Sequence, residues 1–222
     1  MKNLLFTAIL ALLLGFNAFG SDYDPRKAPF WGQRTSLFEA LPVDSTDIVM
    51  LGNSLTNGCE WHELFDMPNV KNRGISSDIV EGVRLRLGPV VKGSPKKIFL
   101  MIGVNDISHA LSSDSIAGAI VAVADSIVKA SPRTRLYVQS CLPFNLSFGY
   151  YKALKDREHQ VPEINAVLRD AAKEHGYTFV DLYSSFVGED GLLRLEFTND
   201  GLHLTAPGYM LWRDLLLPYI KE

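Results

Sequence analysis

The stretch Ile48-Val49-Met50-Leu51-Gly52-Asn53-Ser54-Leu55-Thr56-Asn57-Gly58 decides the architecture. Its apolar run, Ile48 to Leu51, is short and rich in branched residues, which suits a strand covered on both faces as in a parallel sheet. Gly52 permits a tight turn, so Ser54 stands just past a buried strand end. Working outward, similar runs recur at Ile98 to Ile102, Leu136 to Val138 and Phe179 to Val180, with a short strand around Asn69 to Asn72. Amphipathic stretches separate them. Ile79, Val80, Val83 and Leu87 follow Ser76-Ser77-Asp78, and Ile116, Ile120, Val123 and Ile127 follow Asp114, each pattern with a plausible N-cap. A third helix is expected from about Pro162 to a stop at Gly176, and a last one starts near Pro207 and carries Tyr209, Trp212, Leu215 and Leu216. The alternation predicts an α/β fold, a doubly wound three-layer α/β/α sandwich around a mainly parallel sheet of about five strands. Sites in such sheets gather at the C-terminal ends of the strands.

The chain has 222 residues, a net charge of −3, 47% hydrophobic residues and two cysteines, values of a one-domain globular protein with no disulfide scaffold. No basic block is present, which argues against nucleic acid as the main partner. The hydrophobic share is inflated at the start. Lys2, the apolar run Leu4 to Phe16, and small residues at Ala18 and Gly20 read as a secretory signal peptide over residues 1–20, too short for a membrane span. Residues 21–45, broken by Pro25, Pro29 and Pro42, read as an irregular strap, and residues 46–222 as one folded domain. A secreted or periplasmic location follows, an oxidising setting that allows Cys59 and Cys141 to pair, although two separate buried thiols is the plainer expectation.

Two strand ends and one loop hold candidate chemistry. Ser54 offers a hydroxyl, and Asn105, in Gly103-Val104-Asn105-Asp106, offers an amide donor of the kind a developing oxyanion needs. In Thr198-Asn199-Asp200-Gly201-Leu202-His203, Asp200 and His203 are three apart, so one turn brings carboxylate and imidazole together. Each has a structural alternative: a helix-capping serine, a turn asparagine, a lone histidine before a helix. His62, His109, His159 and His175 lack an Asp at matching spacing and read as surface or helix-terminal. Asp106 reads as a loop residue, and Asp181, which closes a strand, as a weaker rival for Asp200. No metal-ligand spacing and no phosphate loop is seen, so no cofactor is expected.

Gly52-Asn53-Ser54-Leu55, the Gly74 of Asn72-Arg73-Gly74-Ile75, Gly103-Val104-Asn105-Asp106 and Asp200-Gly201-Leu202-His203-Leu204 resemble, in order and spacing, the four blocks of the SGNH hydrolases, also called GDSL-type esterases and lipases. Their form looks most like the platelet-activating-factor acetylhydrolase-like and carbohydrate O-acetylesterase branch. The resemblance implies the flavodoxin-like SGNH fold. It also implies Ser54 as nucleophile, His203 as general base, Asp200 as its orienting partner, and an oxyanion hole from the N–H groups of Ser54 and Gly74 with the Asn105 side chain. Asn53 departs from the Asp of the family name, at a position that does not react.

Together with export, the resemblance implies a secreted serine esterase removing short acyl groups, acetyl above all, from a carbohydrate. Two alternatives stand beside it: a lysophospholipase, longer-chain acyl esterase or thioesterase, and a non-catalytic glycan-binding protein of the same fold. The aromatic loop Leu142 to Tyr151 can stack a sugar ring, line an acyl pocket or pack on the body.

Overall fold

Four apolar-centred runs and the mixed segment Val70-Lys71-Asn72-Arg73-Gly74 form five strands: β1 Ile48–Gly52, β2 Val70–Gly74, β3 Lys97–Met101, β4 Arg135–Gln139 and β5 Thr178–Val180. In this computed structural model, which describes residues 23–222, they make one parallel sheet of order β2-β1-β3-β4-β5. The expected signal peptide lies outside the described residues. The helices are α1 Pro29–Ala40, α2 Ser54–Asn57, α3 Trp61–Leu64, α4 Val80–Leu85, α5 Leu87–Lys92, α6 Val104–Ser108, α7 Ser113–Ala130, α8 Gln160–Ala171, α9 Tyr183–Phe186 and α10 Ala206–Lys221.

Alternate residues of each strand feed opposite cores, as the two-residue period of a strand requires. Val49, Leu51, Ile98, Leu100, Leu136 and Val138 pack with α4, α5, α7 and α8 on one face. Ile48, Met50, Phe99, Met101 and Tyr137 meet Trp61, Trp212, Leu216 and Phe186 on the other. Lys97 is the exception in β3: fully buried, it donates from Nζ to the carbonyls of Tyr219 and Ile220 at 2.5 and 3.0 Å, latching the last turn of α10. The strand order reverses between β1 and β3, and at such a switch point the loops leaving the two strands diverge and open a crevice above them. Ser54 follows β1 and Asn105 follows β3, so both border that crevice.

Several local expectations change. The strap contains a 12-residue helix, α1, rather than irregular chain. Pro29 sits in its first turn, where a missing N–H costs nothing, and Pro42 lies beyond its end, so the prolines frame a helix instead of breaking one. Only Phe38 of α1 is buried, its ring 4.6, 4.9 and 5.9 Å from the guanidinium carbons of Arg34, Arg73 and Arg86. The helix expected after Asp78 divides at Arg86 into α4 and α5. Its first N–H, at Val80, is capped from α6 by the Asp106 carboxyl group at 3.2 Å, not by Ser76, Ser77 or Asp78. On α7 the cap is Ser112, whose hydroxyl accepts from the Ser115 N–H, and Asp114 lies inside the first turn. Cys59 and Cys141 are free thiols in different cores, on opposite faces of the sheet.

Candidate active site

Asn53 shapes the turn that presents Ser54. It is buried, and its side-chain oxygen accepts from the Leu55 N–H at 3.0 Å, an N-cap at which Asn and Asp serve equally well. The departure from Asp at this position therefore leaves the turn intact. Ser54 is the first residue of α2, where a backbone N–H has no partner within the helix. Gly52 is required by close approach: a Cβ there would lie 2.3 Å from both the Met101 carbonyl oxygen and Thr56 Oγ1.

Asp200 and His203 are brought together by a tight turn. Gly201 takes φ +89°, and the Thr198 hydroxyl accepts from its N–H at 2.9 Å. Oδ1 of Asp200 accepts from the N–H groups of Leu202 and His203 at 2.8 and 2.7 Å. Oδ2 lies 2.7 Å from His203 Nδ1, and His203 Nε2 lies 2.9 Å from Ser54 Oγ. A carboxylate cannot donate, so the proton on Nδ1 points to Asp200 and Nε2 presents a lone pair to the serine hydroxyl. Burial pushes the Asp200 carboxyl up. Hydrogen bonds from the Tyr151 hydroxyl, the Leu202 N–H and the His203 ring outweigh it and hold the group well below the usual carboxylate range. Asp200 is thus ionised at neutral pH. A serine, an imidazole and a fixed carboxylate in this chain of contacts can activate a hydroxyl for attack on a carbonyl carbon.

Ser54 and His203 open on a cavity of about 590 Å³, with Asp200 behind the imidazole. Its lining includes Ser54, His203, Asn105, Ser76, Ser77 and Tyr150. Asn105 donates one amide hydrogen to the Asp78 carbonyl at 2.8 Å, which fixes the amide plane beside the cavity. Gly74 behaves differently from expectation. Its N–H donates to Asn72 Oδ1 at 2.8 Å and is already engaged. The need for glycine there is steric, since a Cβ would lie 2.2 Å from the Asn57 backbone nitrogen. Among the described residues the N–H groups of Ser76 and Ser77 make no hydrogen bond, and both residues line the cavity, Ser77 in a left-handed conformation at φ +63°.

Other titratable residues fall away from the site. His62 is exposed beside Glu63, His109 stacks on Tyr23, His159 precedes α8, and His175 Nδ1 lies 2.8 Å from Asp125. Asp181 accepts from the N–H and hydroxyl of Ser184. Asp106 is buried as a capping group, not exposed for substrate contact. Burial pushes both cysteine thiols to about 12, so neither rivals Ser54 as a nucleophile. Among the described residues no three His, Cys, Asp or Glu side chains gather as a metal site.

Three supporting groups escaped the sequence reading. Asn72 donates to the carbonyls of Thr56, Asn57 and Cys59 at 3.0, 3.2 and 2.9 Å, tying β2 to the helix that begins with Ser54. The fully buried Asp78–Arg86 pair, 2.8 Å apart, brings Arg86 onto the carbonyls of Gly52 and Arg73 at the ends of β1 and β2. Tyr151, read only as one ring of an aromatic loop, reaches Asp200 and His203 with its hydroxyl. None has a local pattern, because each acts across 8 to 52 residues of sequence.

The profile of the GDSL-like lipase/acylhydrolase family matches residues 50–211, which span the strand before Ser54 through the Asp200–His203 turn. The chain belongs to that family. It is accordingly a serine ester hydrolase. The protein is similar to the platelet-activating factor acetylhydrolase IB subunit alpha1 of Rattus norvegicus, with 31% identity over 189 residues, 80% of this chain and 78% of that one. A GDSL-like lipase structure from Bacteroides thetaiotaomicron superposes with a TM-score of 0.75 at 27% identity, covering 86% of this chain and 97% of that one. An acetyl-xylooligosaccharide esterase from Geobacillus shares the fold, with a TM-score of 0.63 at 16% identity and coverage of 82% and 97%.

Proposed function

We propose that Ser54 is the nucleophile of this ester hydrolase, with His203 as general base and Asp200 as its orienting partner, and that it removes acetyl groups from an extracytoplasmic carbohydrate. The observation that carries the reading is the continuous chain Asp200 Oδ2, His203 Nδ1, His203 Nε2, Ser54 Oγ at 2.7 and 2.9 Å. His203 takes the Ser54 proton as Oγ attacks the ester carbonyl carbon, then returns it to the departing alcohol oxygen. Water repeats the sequence on the acyl-serine. Negative charge on the carbonyl oxygen is met by the Ser54 N–H and the second amide hydrogen of Asn105. Because Gly74 already uses its N–H, the third donor is assigned to the Ser76–Ser77 turn, whose N–H groups make no hydrogen bond and whose residues line the cavity.

The acetyl preference draws support from the acetylhydrolase name of the 31% identical relative. The carbohydrate preference draws on the rim, where the hydroxyls of Ser76, Ser77 and Ser108 and the 71% exposed ring of Tyr150 suit a polar, ring-shaped leaving group. Export rests on the apolar leader in the sequence alone. Ser54→Ala is expected to abolish p-nitrophenyl acetate hydrolysis in a folded protein; unchanged turnover overturns the assignment. A decanoyl ester preferred over acetyl and butyryl esters overturns the acetyl reading, and a deacetylation screen over acetylated xylan, pectin, sialic acid and peptidoglycan fragments identifies the carrier.

A further inference from the structure

The segment from Ser140 to His159, between β4 and α8, is held against the Asp200–His203 turn at two points. The Asn145 N–H donates to the Gly201 carbonyl at 2.7 Å, and the approach is so close that a Cβ on Gly201 would lie 1.8 Å from the Asn145 carbonyl oxygen. The second point is Tyr151. Its hydroxyl donates to Asp200 Oδ2 at 2.7 Å and sits 3.0 Å from His203 Nδ1, and its ring stands edge-on to the imidazole, 5.8 Å between centroids at 67°.

Resting on the reading of Ser54, His203 and Asp200 given above, we propose that Tyr151 is a positioning residue for the Asp200–His203 pair. The backbone N–H groups of Leu202 and His203 fix Oδ1 of the carboxylate but leave Oδ2 to side chains. Oδ2 receives two donors, the imidazole and the Tyr151 hydroxyl. With the tyrosine proton committed to Oδ2, the tyrosine oxygen presents lone pairs toward Nδ1–H. The one hydroxyl therefore fixes the carboxylate plane and the imidazole plane together, and so aims Nε2 at Ser54 Oγ. It also fills the space from which water would compete for Oδ2 and Nδ1, which matters because the His203 side chain is 37% exposed. Tyr150, Tyr151 and Lys152 all line the cavity, so the segment that steadies the base also borders the space open to Ser54.

Tyr151→Phe keeps the ring and removes only the hydroxyl. Titration with a fluorophosphonate counts competent sites, so turnover is expressed per site and any loss of folded protein drops out. Loss of a hydrogen bond to a charged group predicts roughly a 10-fold fall in kcat for p-nitrophenyl acetate, with KM within about twofold. The Nδ1 proton of His203, followed as a far-downfield proton resonance in the resting enzyme, is expected to broaden as water reaches it. A kcat per titrated site within twofold of wild type overturns the proposal. Ser54→Ala, run alongside, separates the two claims: an active Ser54→Ala protein refutes the site reading itself, whereas an inactive one beside a fully active Tyr151→Phe enzyme refutes only the role of Tyr151.

Discussion

Replacing Gly74 by alanine puts one methyl group into a tight backbone contact behind Ser54. The added Cβ would lie 2.2 Å from the Asn57 nitrogen and 2.7 Å from both the Asn57 Cα and the Thr56 carbonyl carbon, all of them backbone atoms. Ordinary contact begins at 3.4 Å, so β2 and α2 must part by about 1.2 Å. Asn72 resists that movement, because it bonds the carbonyls of Thr56 and Asn57 from the same strand. Two routes remain: β2, an edge strand, moves outward, or the single turn of α2 moves and takes Ser54 with it. Overpacking of this kind costs about 1–3 kcal/mol, which in a domain of this size lowers Tm by roughly 2–4 °C per kcal/mol. If Ser54 is the attacking group, as proposed, a displacement near 1 Å there costs on the order of 100-fold in rate. Thermal unfolding and p-nitrophenyl acetate kinetics read both effects. Gly118→Ala is the control, since a Cβ there meets nothing within 4 Å and the change is expected to stabilise by about 0.4–1 kcal/mol. A Gly74→Ala enzyme with the wild-type Tm and a kcat within about threefold would falsify the steric argument.

Asp106 should make the protein less stable as pH rises. Burial raises its carboxyl to about 7, so in the pH range of about 4 to 7 the folded protein holds a proton that the unfolded chain releases. The stability it contributes is complete below the unfolded value, is lost through that window and levels off above it. The loss amounts to on the order of 4 kcal/mol at most. Asp106→Asn stays neutral and keeps an oxygen for the Val80 N–H, so its urea-derived stability should lack this decline; parallel curves for the two proteins would rule the idea out. Asn105→Ala is expected to lower kcat about 100- to 1000-fold with little change in KM, and a loss confined to KM would contradict an oxyanion role. Arg86→Met strands the buried Asp78 carboxylate, a change worth about 3–5 kcal/mol, and scanning calorimetry should show Tm falling by roughly 10 °C. An unshifted melting curve would mean that this ion pair does not hold the strand ends together.

The parts of the site legible in the sequence share one property, that their neighbours are local. Ser54 follows an apolar run directly, and Asp200 and His203 are three residues apart, so strand-end and loop patterns expose them. The parts that stayed hidden join distant segments. Tyr151 is 49 residues from Asp200, and Arg86 is 34 from the Gly52 carbonyl that it holds. The Gly74 assignment shows the same limit from the other side. The glycine was read as a donor because its block matches the family, yet its N–H is taken by a residue two positions away, and the turn beyond it carries the free amides. Helix α1 was missed for a different reason: it buries a single residue, so the apolar periodicity that reveals a helix is absent.

By itself, the sequence determined the α/β alternation, the strand whose end presents Ser54, and the carboxylate–imidazole pair, because each follows from residues within a few positions of one another. Tertiary structure alone decided that β1 and β3 lie side by side at the reversal of strand order, that Ser54 and His203 meet across 149 residues at 2.9 Å, and that Tyr151 closes over their partner. Strand pairing and loop docking are settled by burying two cores at once, and only when both faces of the sheet are covered do the strand ends converge on one crevice.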